Sequence, residues 1–232
     1  QQMQIHNIFP LSIFHDTIDI DKKEREKLIS LIYEFHKKST PIHKPENAWT
    51  GDIHGHEFLL SKPGFENIYS LISAKIVDYL SMLAVNIEKI DLYFQRSWAT
   101  ITKDKQKIQF HTHTQSNISF AYYLLKPKDS GGIIFEMTNT PNSVCNNIFA
   151  KDKFDKGLMK ESNVYNVNQA MFDFKEGSIV IFPSQTRHAT MENKSGQPRI
   201  SLSGDISLML KDSSGFEHIM PNFKYWQKIK NK

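Results

Sequence analysis

The chain has 232 residues, 39% hydrophobic and 23% charged, with 29 basic against 25 acidic side chains. Those proportions exclude a disordered chain and a coiled coil, and a net charge of +4 is too small to mark a nucleic-acid binder. A lone cysteine, Cys145, excludes an internal disulfide framework and a cysteine-rich zinc module.

A chain of this size buries roughly 70% of its unfolded surface, enough for a sizeable core in one domain, or at most two small ones. No uncharged apolar run reaches the roughly 20 residues of a membrane span, so no membrane partner is expected. Gln1-Gln2-Met3 lacks the basic-then-apolar pattern of a secretory signal. Met3 reads as the native start, and the expected compartment is a reducing cytoplasm. Abundant Lys, Asn and Ile point to an AT-rich genome such as that of a phage, whose product would act in the host cytoplasm.

The first element is a helix from Asp21, an N-cap with Glu24 three residues on. Its apolar face is Leu28, Leu31, Ile32 and Phe35. Residues 40–56, with Thr40, Pro41, Pro45, Gly51 and Gly55, read as a loop. A second helix begins near Pro63 and carries the series Phe65, Ile68, Ile72, Ile76, Tyr79 and Leu83. From Asp91 onward the period changes to two. Short β-branched and aromatic runs follow at Leu92–Thr102, Lys107–His113, Asn117–Leu125, Gly132–Met137, Ala170–Phe174, Ser178–Phe182 and Arg199–Leu210. Between them Thr138–Asn168 is polar and Asn-rich, a length of loop that is usually functional or mobile. After Lys211, Phe223, Tyr225 and Trp226 predict a short packed amphipathic segment, with Lys224, Lys228, Lys230 and Lys232 as its solvated face. No clear nucleic-acid footprint results. The expected class is α+β, mainly β, a β-sandwich or jelly roll braced by N-terminal helices. The chain then divides into helical support (1–90), jelly-roll core (91–210) and tail (211–232) of a single domain.

Ten histidines are the informative feature. His6, His15, His36, His43 and His218 read as loop or polar-face residues. His54 and His56 flank Gly55, a pair without a third ligand nearby. His111 and His113 differ, because side chains two apart on a strand leave the same face and can converge on one ion at about 2.1 Å. His188 follows the apolar run Ser178–Pro183 and offers a remote third ligand. Three such ligands make a facial set, with three positions open on an octahedral ion. Arg199, eleven residues later, is placed to form a bidentate pair with a carboxylate.

These motifs, in this order, resemble the non-haem iron(II), 2-oxoglutarate-dependent oxygenases, in particular the bacterial and phage group close to prolyl hydroxylases. The matching text runs from Arg96 to Asp205: Ser97-Trp98-Ala99, His111-Thr112-His113, Ser119 through Tyr122-Tyr123-Leu124, Ser130-Gly131-Gly132-Ile133, Gly177 through Ser184, His188 and Arg199-Ile200-Ser201. Trp49 to Leu60 is similar, more weakly, to the family's upstream loop. The resemblance implies a double-stranded β-helix, cupin-like in architecture, and an enzyme using Fe(II), 2-oxoglutarate and O2. It implies hydroxylation of an unactivated C–H bond with release of succinate and CO2.

By the same resemblance His111 and His188 are iron ligands, and Arg199 holds the distal carboxylate of 2-oxoglutarate with Ser201 and Tyr123. Strand parity puts Ser119 on the face of Tyr123, inside the pocket, and Tyr122 on the core side. The common pattern is His-x-Asp/Glu, and His113 stands at the carboxylate position. The group tolerates His-x-His, so His113 is taken as the third ligand, with Glu136 as the alternative carboxylate. Trp98 is expected in the core, and Arg187 as a strand cap or a residue of the entrance. Two other readings keep the scaffold: a cupin-like three-histidine metal dioxygenase with no need of Arg199, and a non-enzymatic jelly-roll binding module. The substrate, peptidyl or small-molecule, is not legible; Thr138–Asn168 and Trp49–His56 are where it is expected to be covered.

Overall fold

Asp21 caps helix α1 (Lys22–Lys38), its carboxylate accepting the Glu24 amide at 2.8 Å in the computed structural model, which describes residues 4–40, 47–137 and 141–230. Leu28 and Ile32 are buried, and Leu31 and Phe35 pack beside them. Helix α2 (Glu66–Met82) begins three residues beyond Pro63, because Lys62–Phe65 first closes a turn through Gly64 at φ +95°. Phe65, Ile68, Ile72, Ile76 and Tyr79 are buried as their spacing predicts. Leu83 lies past the last turn, where Ala84 turns to φ +57°, and is half exposed.

Six strands form the larger sheet: β1 (Phe14–Thr17), β2 (Trp49–Thr50), β3 (Ile90–Thr102), β4 (Ile118–Leu125), β7 (Ser178–Pro183) and β9 (Arg199–Leu210). Their order is β1-β7-β4-β9-β3-β2, and every pair is antiparallel. The smaller sheet has the order β6-β5-β8, with β5 (Ile133–Glu136), β6 (Gln169–Phe172) and β8 (Arg187–Thr190). A short helix α3 (Lys151–Asp155) lies in the insertion between β5 and β6. The protein is thus mainly β, with the antiparallel sheets of a jelly roll braced by helices, and it is not a closed barrel.

Alternation along the strands creates two different faces. Ile118, Phe120, Tyr122 and Leu124 of β4 join Ile200, Leu202 and Ile206 of β9 in the core packed against α1 and α2. The intervening residues Ser119, Ala121, Tyr123, Arg199, Ser201 and Ser203 face the space toward the smaller sheet. There a smaller apolar cluster of Tyr123, Ile133, Phe135, Val180 and Phe182 joins the sheets. Gly204 is fixed by packing: a Cβ there would sit 2.6 Å from Phe120 Cε1.

Several expectations are corrected. Lys107–His113 is not a regular strand; the Ile108 carbonyl accepts from the Thr190 amide, but the Ile108 amide bonds the Thr190 hydroxyl instead of a carbonyl, which leaves only an isolated bridge to β8 at His111. Residues 40–56 are not all loop, since β2 and a 3-10 turn at Asp52–His54 fall within them. β1 and β8 lie in segments assigned no strand. The aromatic tail does not pack as an amphipathic face. Phe223–Tyr225 is a single 3-10 turn, too short to own a face, and Tyr225 and Trp226 are exposed. It is anchored instead by Asn222, which donates to Asp91 Oδ2 at 2.5 Å. His43, Pro41, Pro45, Met3 and Lys232 lie outside the described residues.

A candidate metal centre facing an unpaired arginine

His111 and His188 are locked opposite each other by two backbone hydrogen bonds, 2.9 and 3.0 Å long. β8 therefore carries His188 to the His-x-His segment directly. The His113 amide donates to the Ser184 carbonyl at 3.0 Å, which ties the third ring to the turn between β7 and β8. Ring centroids stand 5.0 Å apart for His111–His113, 4.3 Å for His111–His188 and 5.2 Å for His113–His188.

The hydrogen bonds of the rings settle their tautomers. His111 Nδ1 donates to the Gln109 carbonyl and His188 Nδ1 to the Thr186 carbonyl, both at 2.8 Å. His113 Nδ1 meets Asp205 Oδ1 at 2.6 Å. An acceptor at each Nδ1 keeps the proton there and leaves the lone pair on Nε2. The three side chains bring one ring nitrogen each to within 4.8 Å of one another, the scale set by an ion about 2.1 Å from each. Burial pushes the His188 imidazole down to about 3, with the neighbouring His111 acting the same way. Burial likewise lowers His111. Neutral rings with free lone pairs are what a divalent metal needs. His113 Nε2 is buried with no hydrogen-bond partner, a costly arrangement that a metal resolves. The donor set fits iron.

Asp205, which sequence reasoning passed over, is fully buried behind His113. Its Oδ1 accepts from His113 and from the Ser119 hydroxyl at 3.0 Å. Its Oδ2 accepts from Arg96 Nη2 at 2.6 Å, Arg96 Nε at 3.1 Å and Gln115 Nε2 at 3.1 Å. Burial raises the carboxyl, but the hydrogen bonds it accepts from His113, Arg96 and Ser119 outweigh it and bring it down to about 2. The signal was available: on β9, Asp205 shares the parity of Arg199, Ser201 and Ser203.

Arg199, 2% exposed, lines the same cavity of about 220 Å³ as the three histidines. Its Nη1 donates to the carbonyls of Ser130 and Gly131 at 2.6 and 2.9 Å, and Nη2 reaches Thr102 Oγ1 at 3.4 Å. The arginine ion pairs among the described residues use Arg25, Arg96 and Arg187. Arg199 is a buried cation at the cavity wall that forms no ion pair among the described residues, which calls for an anion. Tyr123 and Ser201 line the same end. Burial pushes the Tyr123 phenol up to about 12, so it remains a donor.

Other residues are placed as follows. Ser119 lines the cavity, but its hydroxyl is shared between Asp205 and Ser184 Oγ. Trp98 is buried yet forms cavity wall rather than core, stacked on His113 at 5.8 Å and 16°. Glu136 does not approach the histidine rings as a ligand; it pairs with Arg187 and accepts from Gln169. Arg187 lies over the Phe110 ring at 5.0 Å. His54 bonds the Thr50 carbonyl through Nδ1. Among the described residues the one cluster able to hold a metal is His111, His113 and His188. No helix among them is long and apolar enough to cross a membrane. Cys145 is exposed.

Residues 96–205 match the family model described as Putative 2OG-Fe(II) oxygenase. No curated protein matches the sequence. Among solved structures, the chain is similar to the non-heme alpha ketoglutarate dependent epimerase SnoN from nogalamycin biosynthesis, with TM-score 0.56 and 12% identity over 88% of this chain and 82% of that one. It is also similar to HygX from Streptomyces hygroscopicus, crystallised with nickel, 2-oxoglutarate and hygromycin B (TM-score 0.54, 10% identity, 91% and 93% covered). A third is a Pseudomonas putida prolyl-4-hydroxylase (TM-score 0.50, 11% identity, 85% and 92% covered). At such identities the likeness is one of fold.

Proposed function

We propose that this 2OG-Fe(II) oxygenase-type enzyme hydroxylates an unactivated C–H bond of a peptidyl or small-molecule substrate. In this reading His111, His113 and His188 hold Fe(II). Arg199, Tyr123 and Ser201 receive the distal carboxylate of 2-oxoglutarate. The observation that carries it is the pairing, within one cavity, of three convergent imidazoles with a buried guanidinium that forms no ion pair among the described residues.

Iron and 2-oxoglutarate together supply the oxidising chemistry: substrate, O2 and the keto acid become hydroxylated product, succinate and CO2. The chain's own residues bind, orient and exclude water. Arg199 presents Nη2 on a guanidinium fixed by the Ser130 and Gly131 carbonyls, so little ordering remains to be done on binding. Tyr123, protonated across the physiological range, donates to the same carboxylate. Phe182 and Ile133 wall the cavity between the sheets and keep it dry. The carbonyls of Gln109 and Thr186 hold the His111 and His188 rings with Nε2 forward. Asp52, Arg96 and Gln115 supply polar groups to the same cavity, and substrate is expected to meet them.

Anaerobic addition of Fe(II) and 2-oxoglutarate to metal-free protein should give a weak visible charge-transfer band, and admission of O2 should release succinate. Absence of both would remove this reading. A band-free protein that consumes O2 without a keto acid would favour the three-histidine dioxygenase instead.

A further inference from the structure

We infer that Asp205 is a positioning residue for the metal, supplying from behind His113 the negative charge that the three-imidazole donor set lacks. The inference rests on the proposed metal site.

Three neutral imidazoles bring no charge to a divalent cation, and a buried cation without a counter-charge is unfavourable. Asp205 is the carboxylate in contact with one of those rings. It is 0% exposed and hydrogen-bonded to His113 Nδ1 at 2.6 Å. A carboxylate at that nitrogen fixes ring orientation and raises the basicity of the opposite one, and the opposite one here is the buried, unpartnered Nε2. The neighbours hold Asp205 in that pose. Ser119 donates to the same Oδ1, while Arg96 and Gln115 bind Oδ2. Trp98 completes the assembly, stacked on His113 on one side and carrying the Arg96 guanidinium 4.9 Å from its ring centroid.

Arg96 gives the inference a second, opposite consequence. Its guanidinium is shared between Asp205 Oδ2 and Asp52 Oδ2, at 2.6 and 3.3 Å. It therefore draws part of the Asp205 charge away from the histidine. A structural peg would be indifferent to that competition, whereas a charge donor would not.

The test is Co(II) affinity of the metal-free full chain, measured by competition with a chelating dye, together with the Co(II) visible spectrum. Asp205→Asn keeps an oxygen for His113 Nδ1 and removes the charge. Its affinity should fall about 10- to 100-fold with an altered spectrum, measured on folded protein, since losing the pair with Arg96 also lowers the metal-free melting temperature. Arg96→Gln leaves the carboxylate in place and should tighten Co(II) binding. If Asp205→Asn fails to fold, the Arg96→Gln measurement decides alone. Unchanged affinity in a folded Asp205→Asn, or unchanged or weaker binding in Arg96→Gln, overturns the inference. If the unchanged chain binds no Co(II), the metal site itself is refuted and this inference with it.

Discussion

Arg199→Met separates a keto-acid-dependent enzyme from any other use of the histidines. The guanidinium is 2% exposed, and its contacts among the described residues are two carbonyls and a threonine hydroxyl. A carboxylate arriving there forms a charge pair removed from solvent. Deleting one partner of such a pair costs about 2–5 kcal/mol, or about 30-fold to several thousand-fold in affinity. The substitution also orphans the Ser130 and Gly131 carbonyls, at about 1–3 kcal/mol each. Removing a buried unpaired cation offsets part of that. Metal-free stability should therefore fall by no more than a few kcal/mol, so 2-oxoglutarate affinity is compared on folded, nickel-binding protein. The assay is calorimetric titration of the Ni(II)-loaded protein with 2-oxoglutarate, beside thermal melts of the metal-free chain. A folded, nickel-binding Arg199→Met that binds 2-oxoglutarate within threefold of the unchanged protein would refute the anion-site reasoning.

Tyr123→Phe removes one donor to a charged acceptor, worth about 1.5–3 kcal/mol, and should weaken 2-oxoglutarate binding about 10- to 150-fold in the same titration; an unaltered affinity would place the phenol outside the site. His188→Gln should abolish the anaerobic charge-transfer band, and an intact band would show that another group completes the metal site. Gly204→Ala pushes a methyl against Phe120 Cε1 at 2.6 Å and the Arg96 carbonyl at 2.9 Å. Overpacking of about 1–3 kcal/mol should lower the melting temperature by about 2 to 12 °C, and an unshifted melt would mean the sheet yields there. Acid should destabilise the metal-free chain in two steps. His188 is held down to about 3, so the unfolded chain takes up its proton near 6.5 and the folded chain does not. Stability then falls as pH drops from about 6.5 toward 3. Asp205, held down to about 2, adds a loss between about pH 4 and 2. Denaturant melts at a series of pH values check both, and a flat profile between pH 6.5 and 4 contradicts the first.

Legibility varied with how local the deciding physics is. The Asp21 cap and the faces of α1 and α2 follow from spacing, because a helix closes its bonds within four residues. The parity of β4, with Tyr122 inward and Tyr123 toward the cavity, follows from the two-residue period. Three-way proximity of His111, His113 and His188 was an expectation from order and resemblance, and the structure brings the rings together. Lys107–His113 has the alternation of a strand, but its pairing depends on whether β8 offers carbonyls or a hydroxyl, and at Thr190 it offers a hydroxyl. Asp205 was missed although its parity matched Arg199. A lone aspartate in a strand gains meaning only once His113, 92 residues away, lies beside it.

By itself the sequence determined the strand and helix periods, which face of each strand is polar, and the set of side chains able to bind a cation and an anion. Tertiary structure decided which of them meet: β9 lies between β3 and β4, setting Asp205 opposite both Arg96 and Ser119. Register across a sheet is a pairing between distant segments, fixed by burying one face of every strand at once, and no local stretch of chain contains that information.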